Sequence, residues 1–230
     1  MARMPRLAVA GQPHLVVQRG GDLPVFVDDA DRLAYLAAMH EVANGSVAVH
    51  AYALLDNGVL LLASPRAAED LGHFMQRVGQ RYVPAFHRRH GGRGALWAGR
   101  FQATALDPEH YLLPAILLVE QAPVRACLVS RATEWPWSSA PHHTGRTASP
   151  LLTEHVAWWR TGNTPFEREA RHESELQRLL RDDQVAEMLA AARGGWPLGS
   201  AKFVGAMGLA ADRPVQRRPR GRPRRSKPAG

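Results

Sequence analysis

Apolar residues along the first 130 positions follow two periods, which predict alternating strands and helices. Short runs that are apolar or alternate with a period of two predict strands at residues 14–19, 47–55, 59–64 and 101–106. Apolar positions at helical spacing predict helices at residues 29–43, 67–90 and 110–121. Asp56-Asn57-Gly58 is a hairpin turn signal, and Pro84 predicts a kink or break in the second helix.

This order predicts an α+β fold, a ferredoxin-like antiparallel sheet with helices on one face. We place this domain at residues 1–133. A Pro-rich linker at 134–163, a small helical region at 164–208 and a basic tail at 209–230 follow it. The helical region either contacts DNA or packs on the main domain, and the second arrangement is favoured.

Composition supports one globular core in a reducing compartment. The 230 residues are 45% hydrophobic, which suffices for one sizeable core, and a single cysteine cannot form an internal disulfide. No apolar run approaches about 18 residues, so no membrane span is expected. The N-terminal apolar run is too short for a signal peptide. We expect a cytoplasmic protein.

The net charge of +8 comes from the tail. The chain has 29 Lys and Arg residues and 21 Asp and Glu residues. Residues 213–230 hold eight of the cations and no anion, so the rest of the chain has 21 cations and 21 anions and is formally neutral. Such a segment is expected to be disordered until it binds a polyanion. Residues 219–223 read PRGRP and resemble an AT-hook, whose arginines enter the narrow minor groove of A·T-rich DNA. The alternatives are a generic basic, solubilising tail and an arginine-rich segment that folds on RNA.

Six strings occur in an order that resembles one protein family. They are VQRGG (17–21), HAYALLDNGVLLLAS (50–64), RYVPAFHRRHGGRGALWAGRF (81–101), YLLPAILLVEQAPVRACLV (111–129), WPWSS (135–139) and GWPLGSAKFV (195–204). The set is similar to the REP-associated tyrosine transposases of the single-tyrosine HUH superfamily. The resemblance spans about residues 5–205 and includes the terminal GRPRR.

The resemblance implies a nuclease fold that cuts single-stranded DNA near hairpins with a tyrosine and a divalent metal, Mg²⁺ or Mn²⁺. A tyrosine hydroxyl is a weak nucleophile, and a metal held by two histidines of one strand offsets phosphate charge in the transition state. Matching the family's motifs residue by residue puts the two histidine positions at Gly58 and Leu60, the tyrosine at Leu118 and the third ligand at Ala122.

None of these four residues can coordinate a metal or attack phosphorus, and no His-x-His occurs in residues 1–110. We therefore expect a chain without cofactor or cleavage activity. Tyr111 is a weak candidate for a rescue nucleophile, and Glu120 is expected to point away from position 118. His50 is expected to be structural, His142-His143 solvated, and Cys127 buried.

DNA binding does not require that chemistry, and arginines are frequent in the matching strings. Trp97 lies between two of them, so it either stacks on unpaired bases or caps the core. The candidate DNA-binding residues are Arg19, Arg81, Arg88, Arg89, Arg93, Trp97, Arg100 and Arg125 in the domain, and Arg217, Arg218, Arg220, Arg222, Arg224 and Arg225 in the tail.

Three functional readings follow. The first is a transposase-family protein that binds hairpin or single-stranded DNA, is nucleoid-associated and has lost cleavage. The second is an active metal-dependent nicking transposase that uses unaligned residues. The third is an interaction or regulatory protein that does not bind nucleic acid. The oligomeric state is not determined by the sequence.

Overall fold

The order of strands and helices in the first 125 residues agrees closely with the sequence pattern. In the computed structural model, residues 7–21, 23–211 and 214–215 are described. The elements are β1 (His14–Arg19), α1 (Asp29–Ala43), β2 (Val47–Leu55), β3 (Gly58–Pro65), α2 (Asp70–His90), β4 (Gln102–Ala105), α3 (Pro108–Glu120) and α4 (Ala122–Arg125). Helix α2 continues through Pro84, where a kink or break was predicted. Buried Tyr82 and Phe86 anchor it on both sides of the proline.

The four strands form one antiparallel sheet in the order β2-β3-β1-β4. β1 is central and pairs with β3 from His14↔Ala63 to Arg19↔Gly58. On its other side Val17 pairs with Gln102 of β4. The α+β ferredoxin-like class predicted from the sequence is therefore confirmed.

The strands carry apolar side chains on both faces of the sheet. Val16 of β1 and Leu61 of β3, with the strand residues that share their face, pack with α1 and α2 in the larger core cluster. Val17 and Leu62, one position along, pack with α3 and α8 in a second cluster. Successive strand residues point to opposite faces, so both faces are covered by helices. Helices α1 and α2 form the layer on one face of the sheet, as the sequence predicts. Helix α3 and the C-terminal region form a second layer on the other face.

Residues 134–163, predicted as a linker, lie along the edge strand β2. Leu54 N donates to Trp137 O at 2.9 Å, Ser139 N donates to Tyr52 O at 2.9 Å, and Thr153 N donates to Val49 O at 2.7 Å. These bonds satisfy backbone groups that an edge strand otherwise exposes. A 3₁₀ turn (Ala132–Glu134) leads into the segment, which contains α5 (Ala140–His143) and α6 (Val156–Trp159).

The C-terminal region consists of α7 (Pro165–Leu176), α8 (Asp182–Gly194) and α9 (Ala201–Ala210). Thr164 caps α7 through a capping box with Glu167, and Gly195 ends α8 in the left-handed conformation at φ 66°. Met188 and Ala192 of α8 are buried in the second core cluster. No helix in the described part of the chain is both long and apolar enough to cross a membrane.

Candidate functional site

The four positions that the resemblance predicts to be former catalytic positions lie around one groove. Gly58, Leu60, Leu118 and Ala122 all line a cavity of about 530 Å³ on the α3 face of the sheet. Its floor is formed by the ends of β1, β2 and β3, one wall by α3 and α4, and the opposite wall by Val185 and Leu189 of α8.

Local geometry explains this convergence. Gly58 and Leu60 are two apart on β3 and therefore share the face that carries Leu62. Leu118 and Ala122 are four apart, one turn along consecutive helices, and therefore face the same direction. Leu118 is only 2% exposed and belongs to the second core cluster.

The groove residues at these four positions do not fit a metal ion. A glycine, two leucines and an alanine present no side-chain lone pair, and Mg²⁺ or Mn²⁺ requires oxygen or imidazole ligands. All four tyrosines of the chain are described, and none lines the groove. Tyr35, Tyr52 and Tyr82 belong to the core on the other face of the sheet. Tyr111 directs its hydroxyl to Glu187 at 3.3 Å, in a different cavity.

Two of the predicted DNA-binding arginines, Arg19 and Arg125, line the groove. Arg19 is exposed and forms no ion pair with any described residue. Ala98 N donates to Arg19 O at 3.0 Å, so the loop before β4, which also carries exposed Arg100, lies against the end of β1. Arg125 binds Asp182 at 2.7 Å and the carbonyl of Leu180, which ties α4 to the start of α8.

The remaining candidate arginines of the domain divide into paired and unpaired groups. Arg81 binds Glu41, and Arg89 binds Asp28 and buried Asp31, so their charges are compensated within the fold. Arg88 and Arg93 are exposed and pair with no described residue. Arg217, Arg218, Arg220, Arg222, Arg224 and Arg225 lie outside the described residues, as does the AT-hook-like string.

Trp97 caps the core. Its ring packs edge-on against Tyr35 at 6.1 Å between centroids and lies 6.4 Å from Tyr82. It also forms a bridge with Gly20 at the end of β1. Of the two roles considered from the sequence, these contacts favour packing over base stacking.

A buried polar cluster lies behind the groove, and the sequence did not indicate it. The fully buried carboxylate of Glu120 accepts from Ser139 Oγ at 2.5 Å, from His143 Nδ1 at 2.5 Å and from His172 Nε2 at 2.6 Å. The indole of Trp158 packs against both imidazoles, 4.5 Å and 5.0 Å between ring centroids. His143 is therefore buried, not solvated as expected from its Pro-rich surroundings.

Burial alone raises the pKa of Glu120, but the charges and hydrogen bonds of His143 and His172 outweigh it and lower that pKa well below its ordinary value. One carboxylate and two imidazoles are also a donor set that zinc accepts. Here each of these groups already has a hydrogen-bond partner in the cluster. In the described part of the chain, two further sets bring two carboxylates and one histidine together, Asp28-Asp31-His90 and Asp107-Glu109-His110.

Two other residues singled out in the sequence have structural settings. His50 is buried, with Nδ1 donating to Thr153 O at 2.7 Å and Nε2 accepting from Ser64 Oγ at 2.8 Å, so its expected structural role agrees with its contacts. Cys127 was expected to be buried, but it is exposed in the turn after α4, at φ 56°.

Comparison with known proteins identifies the fold. No protein-family model and no curated protein matches the chain. A solved structure of a REP-associated tyrosine transposase bound to a REP hairpin superposes with a TM-score of 0.54 at 14% sequence identity, over 68% of this chain and 96% of that one. The two proteins share a fold, and the region of this chain that they have in common is about two thirds of its length.

Proposed function

We propose that this chain binds hairpin or single-stranded DNA and does not cleave it. The carrying observation is the groove itself: the four aligned positions meet in one place, carry only apolar side chains and lie beside unpaired Arg19. The hairpin bound to the structural neighbour supports DNA as the class of ligand.

The end of the sheet beside the groove supplies the cations for such binding. Arg19, Arg93 and Arg100 are exposed without an ion pair to described residues, and the loop that carries the last two lies against the end of β1. Unpaired guanidinium groups are available to phosphate oxygens, and each phosphate they neutralise releases counterions. We therefore expect affinity to fall steeply with salt.

The absence of cleavage follows from the chemistry of the groove. Leucine cannot attack phosphorus, and replacing a complete catalytic set removes many orders of magnitude in rate. The nearest tyrosine along the helix, Tyr111, is bonded to Glu187 outside the groove. In this proposal the transposase scaffold retains recognition without strand transfer.

The tail adds a second contact in this proposal. Residues 213–230 hold eight cations, and the PRGRP string suits the minor groove of A·T-rich duplex. The domain would then hold the hairpin or its single-stranded flank while the tail holds adjacent duplex. Removal of residues 213–230 is expected to weaken binding and reduce its salt dependence, without abolishing recognition of the hairpin.

The test is an electrophoretic shift assay with a labelled palindromic hairpin that carries single-stranded extensions, with Mg²⁺ and Mn²⁺ each present in parallel. We expect a salt-sensitive complex, no shortened oligonucleotide and no covalent adduct. Arg19→Ala combined with Arg100→Ala is expected to weaken binding about 100-fold or more, because two guanidinium–phosphate bonds at about 1.5–3 kcal/mol each together contribute about 3–6 kcal/mol. Arg66→Ala is the matched control, since Arg66 is exposed at the opposite end of β3.

Three results contradict the proposal. A nicked product or a denaturant-resistant adduct indicates an active transposase that uses other residues. No shift at low salt, with or without the tail, indicates an interaction protein that does not bind nucleic acid. Equal loss in the Arg66 control and the double variant shows that the end of the sheet is not the binding surface.

A further inference from the structure

The groove is an open cleft of about 530 Å³, with the ends of β1, β2 and β3 as its floor and α3, α4 and α8 as its two walls. The open space adjoins Gly58, which has no side chain where the aligned family position has an imidazole. The volume lies within the range typical of small-molecule sites.

The walls and the rim of the groove differ in chemistry. Leu60, Leu118, Val185 and Leu189 form apolar walls. Arg19, Asp56, Asn57 and Arg125 also line the groove, at the ends of β1 and β2, in the hairpin turn and at the end of α4. A ligand that fits has flat apolar faces, a polar edge and an adjacent negative charge.

An unpaired nucleotide has these properties. A base offers two apolar faces and a hydrogen-bonding edge, and its phosphate carries the negative charge. Enzymes that extrude a base hold it between apolar or aromatic side chains in the same manner. A purely apolar small molecule would match the walls but would give no partner to the unpaired guanidinium of Arg19.

We infer that the groove receives one unpaired base of the bound DNA, inserted between α3 and α8, with Arg19 on the adjoining phosphate. The inference rests on the proposed DNA binding and names the part of the ligand that occupies the former catalytic position. Loss of the metal ligands thus converts a reaction site into a recognition pocket for a base.

The experiment is a double-mutant cycle between protein and DNA. In a series of hairpins, one unpaired nucleotide at a time is replaced by an abasic sugar, and affinity is measured for the full chain and for Ala122→Leu, which fills the groove. At one position, the abasic site and Ala122→Leu are each expected to weaken binding about 5- to 150-fold, because a base held by stacking or packing contributes about 1–3 kcal/mol. Together they are expected to cost no more than either alone.

Ala190→Leu is the matched control, because Ala190 is exposed on α8 and does not line the groove. Leu60→Phe is a second filling variant, and thermal unfolding checks that each variant folds. 2-Aminopurine at the position found in the cycle is expected to brighten on binding, since extrusion removes it from its stacked neighbours, and to remain dim with Ala122→Leu.

The outcomes separate this inference from the proposed function. Normal hairpin binding with additive effects at every unpaired position overturns the base pocket and leaves DNA binding intact. A hairpin that does not bind at all overturns both. Unchanged affinity in both filling variants also refutes the pocket, whatever the abasic series shows.

Discussion

Two sites on opposite sides of helix α3 have different chemistry. Leu118 and Ala122 face the groove, where apolar side chains leave an open space. Glu120, two residues from each, lies about 200° around the helix and is fully buried among Ser139, His143 and His172. The open groove carries no ligating side chain at its aligned positions, while the closed side holds a charged group whose hydrogen bonds are satisfied.

The contrast shows which constraints the fold itself imposes. Glu120 of α3 binds His143 of α5 and His172 of α7. Removing its carboxylate therefore leaves two buried imidazoles without an acceptor and loosens the contact between these three helices. The four groove positions carry no polar side chain, so replacing them leaves no buried hydrogen-bonding group without a partner. We therefore expect substitutions in the groove to lower stability less than removal of Glu120 does.

The largest expected effect is a difference in the free energy of unfolding between variants on the two sides of α3. Glu120→Ala is expected to lower the free energy of unfolding by about 3–5 kcal/mol, the usual cost of breaking a buried ion pair on one side. Leu118→Ala is expected to cost about 2 kcal/mol, at the low end for buried leucine, because the site already adjoins open space. Urea unfolding measures both.

Glu175→Ala is the control for that comparison. Glu175 is exposed on α7, and its replacement should change stability by less than about 0.5 kcal/mol. If Glu120→Ala unfolds at the same urea concentration as the unaltered chain, the cluster does not hold the three helices together.

The next expected effect concerns pH. Burial lowers the pKa of His14 to about 4 against its hydrogen bond to Gln12, and burial likewise lowers the pKa of His50 to about 4. Because the folded values lie below the ordinary 6.5, the unfolded chain takes up these protons first. The free energy of unfolding is therefore unaffected by these two groups above pH 6.5. It falls between pH 6.5 and 4, by about 3 kcal/mol for each histidine.

Urea unfolding at pH 7, 5.5 and 4 measures this loss. The depressed pKa of Glu120 extends the loss in the same direction below its ordinary value of 4.5, as that carboxylate becomes protonated. His50→Gln should flatten the pH dependence, whereas His73→Gln, at an exposed position, should not. Stability that is constant from pH 7 to 4 would contradict the buried, neutral state of both histidines.

The smallest expected effect separates paired from unpaired arginines. Arg81 and Glu41 form an exposed pair, which typically contributes about 0.2–1 kcal/mol. Arg81→Ala is therefore expected to change stability by no more than that and to leave hairpin affinity unchanged within about twofold, because this charge is already compensated. A loss of affinity as large as that of the Arg19 and Arg100 variant would move the binding surface toward α2.

The sequence determined the local elements well, because hydrophobic periodicity and capping act over a few residues. The predicted limits of α1 and β2 match those observed, since Asp28 caps the helix and Asn44 ends it. The four positions predicted from motif order line one groove, because their spacing of two on a strand and four on a helix places each pair on one face.

Tertiary structure alone decided which distant residues meet. Glu120, His143 and His172 are separated by 23 and 29 positions, and no periodic pattern connects them; packing α5 and α7 against α3 brings them together. The same packing places α8 over the sheet, where it forms the wall of the groove opposite α3 and α4. Periodicity specifies the face that each element buries, but the partner of that face depends on long-range packing, which local spacing does not encode.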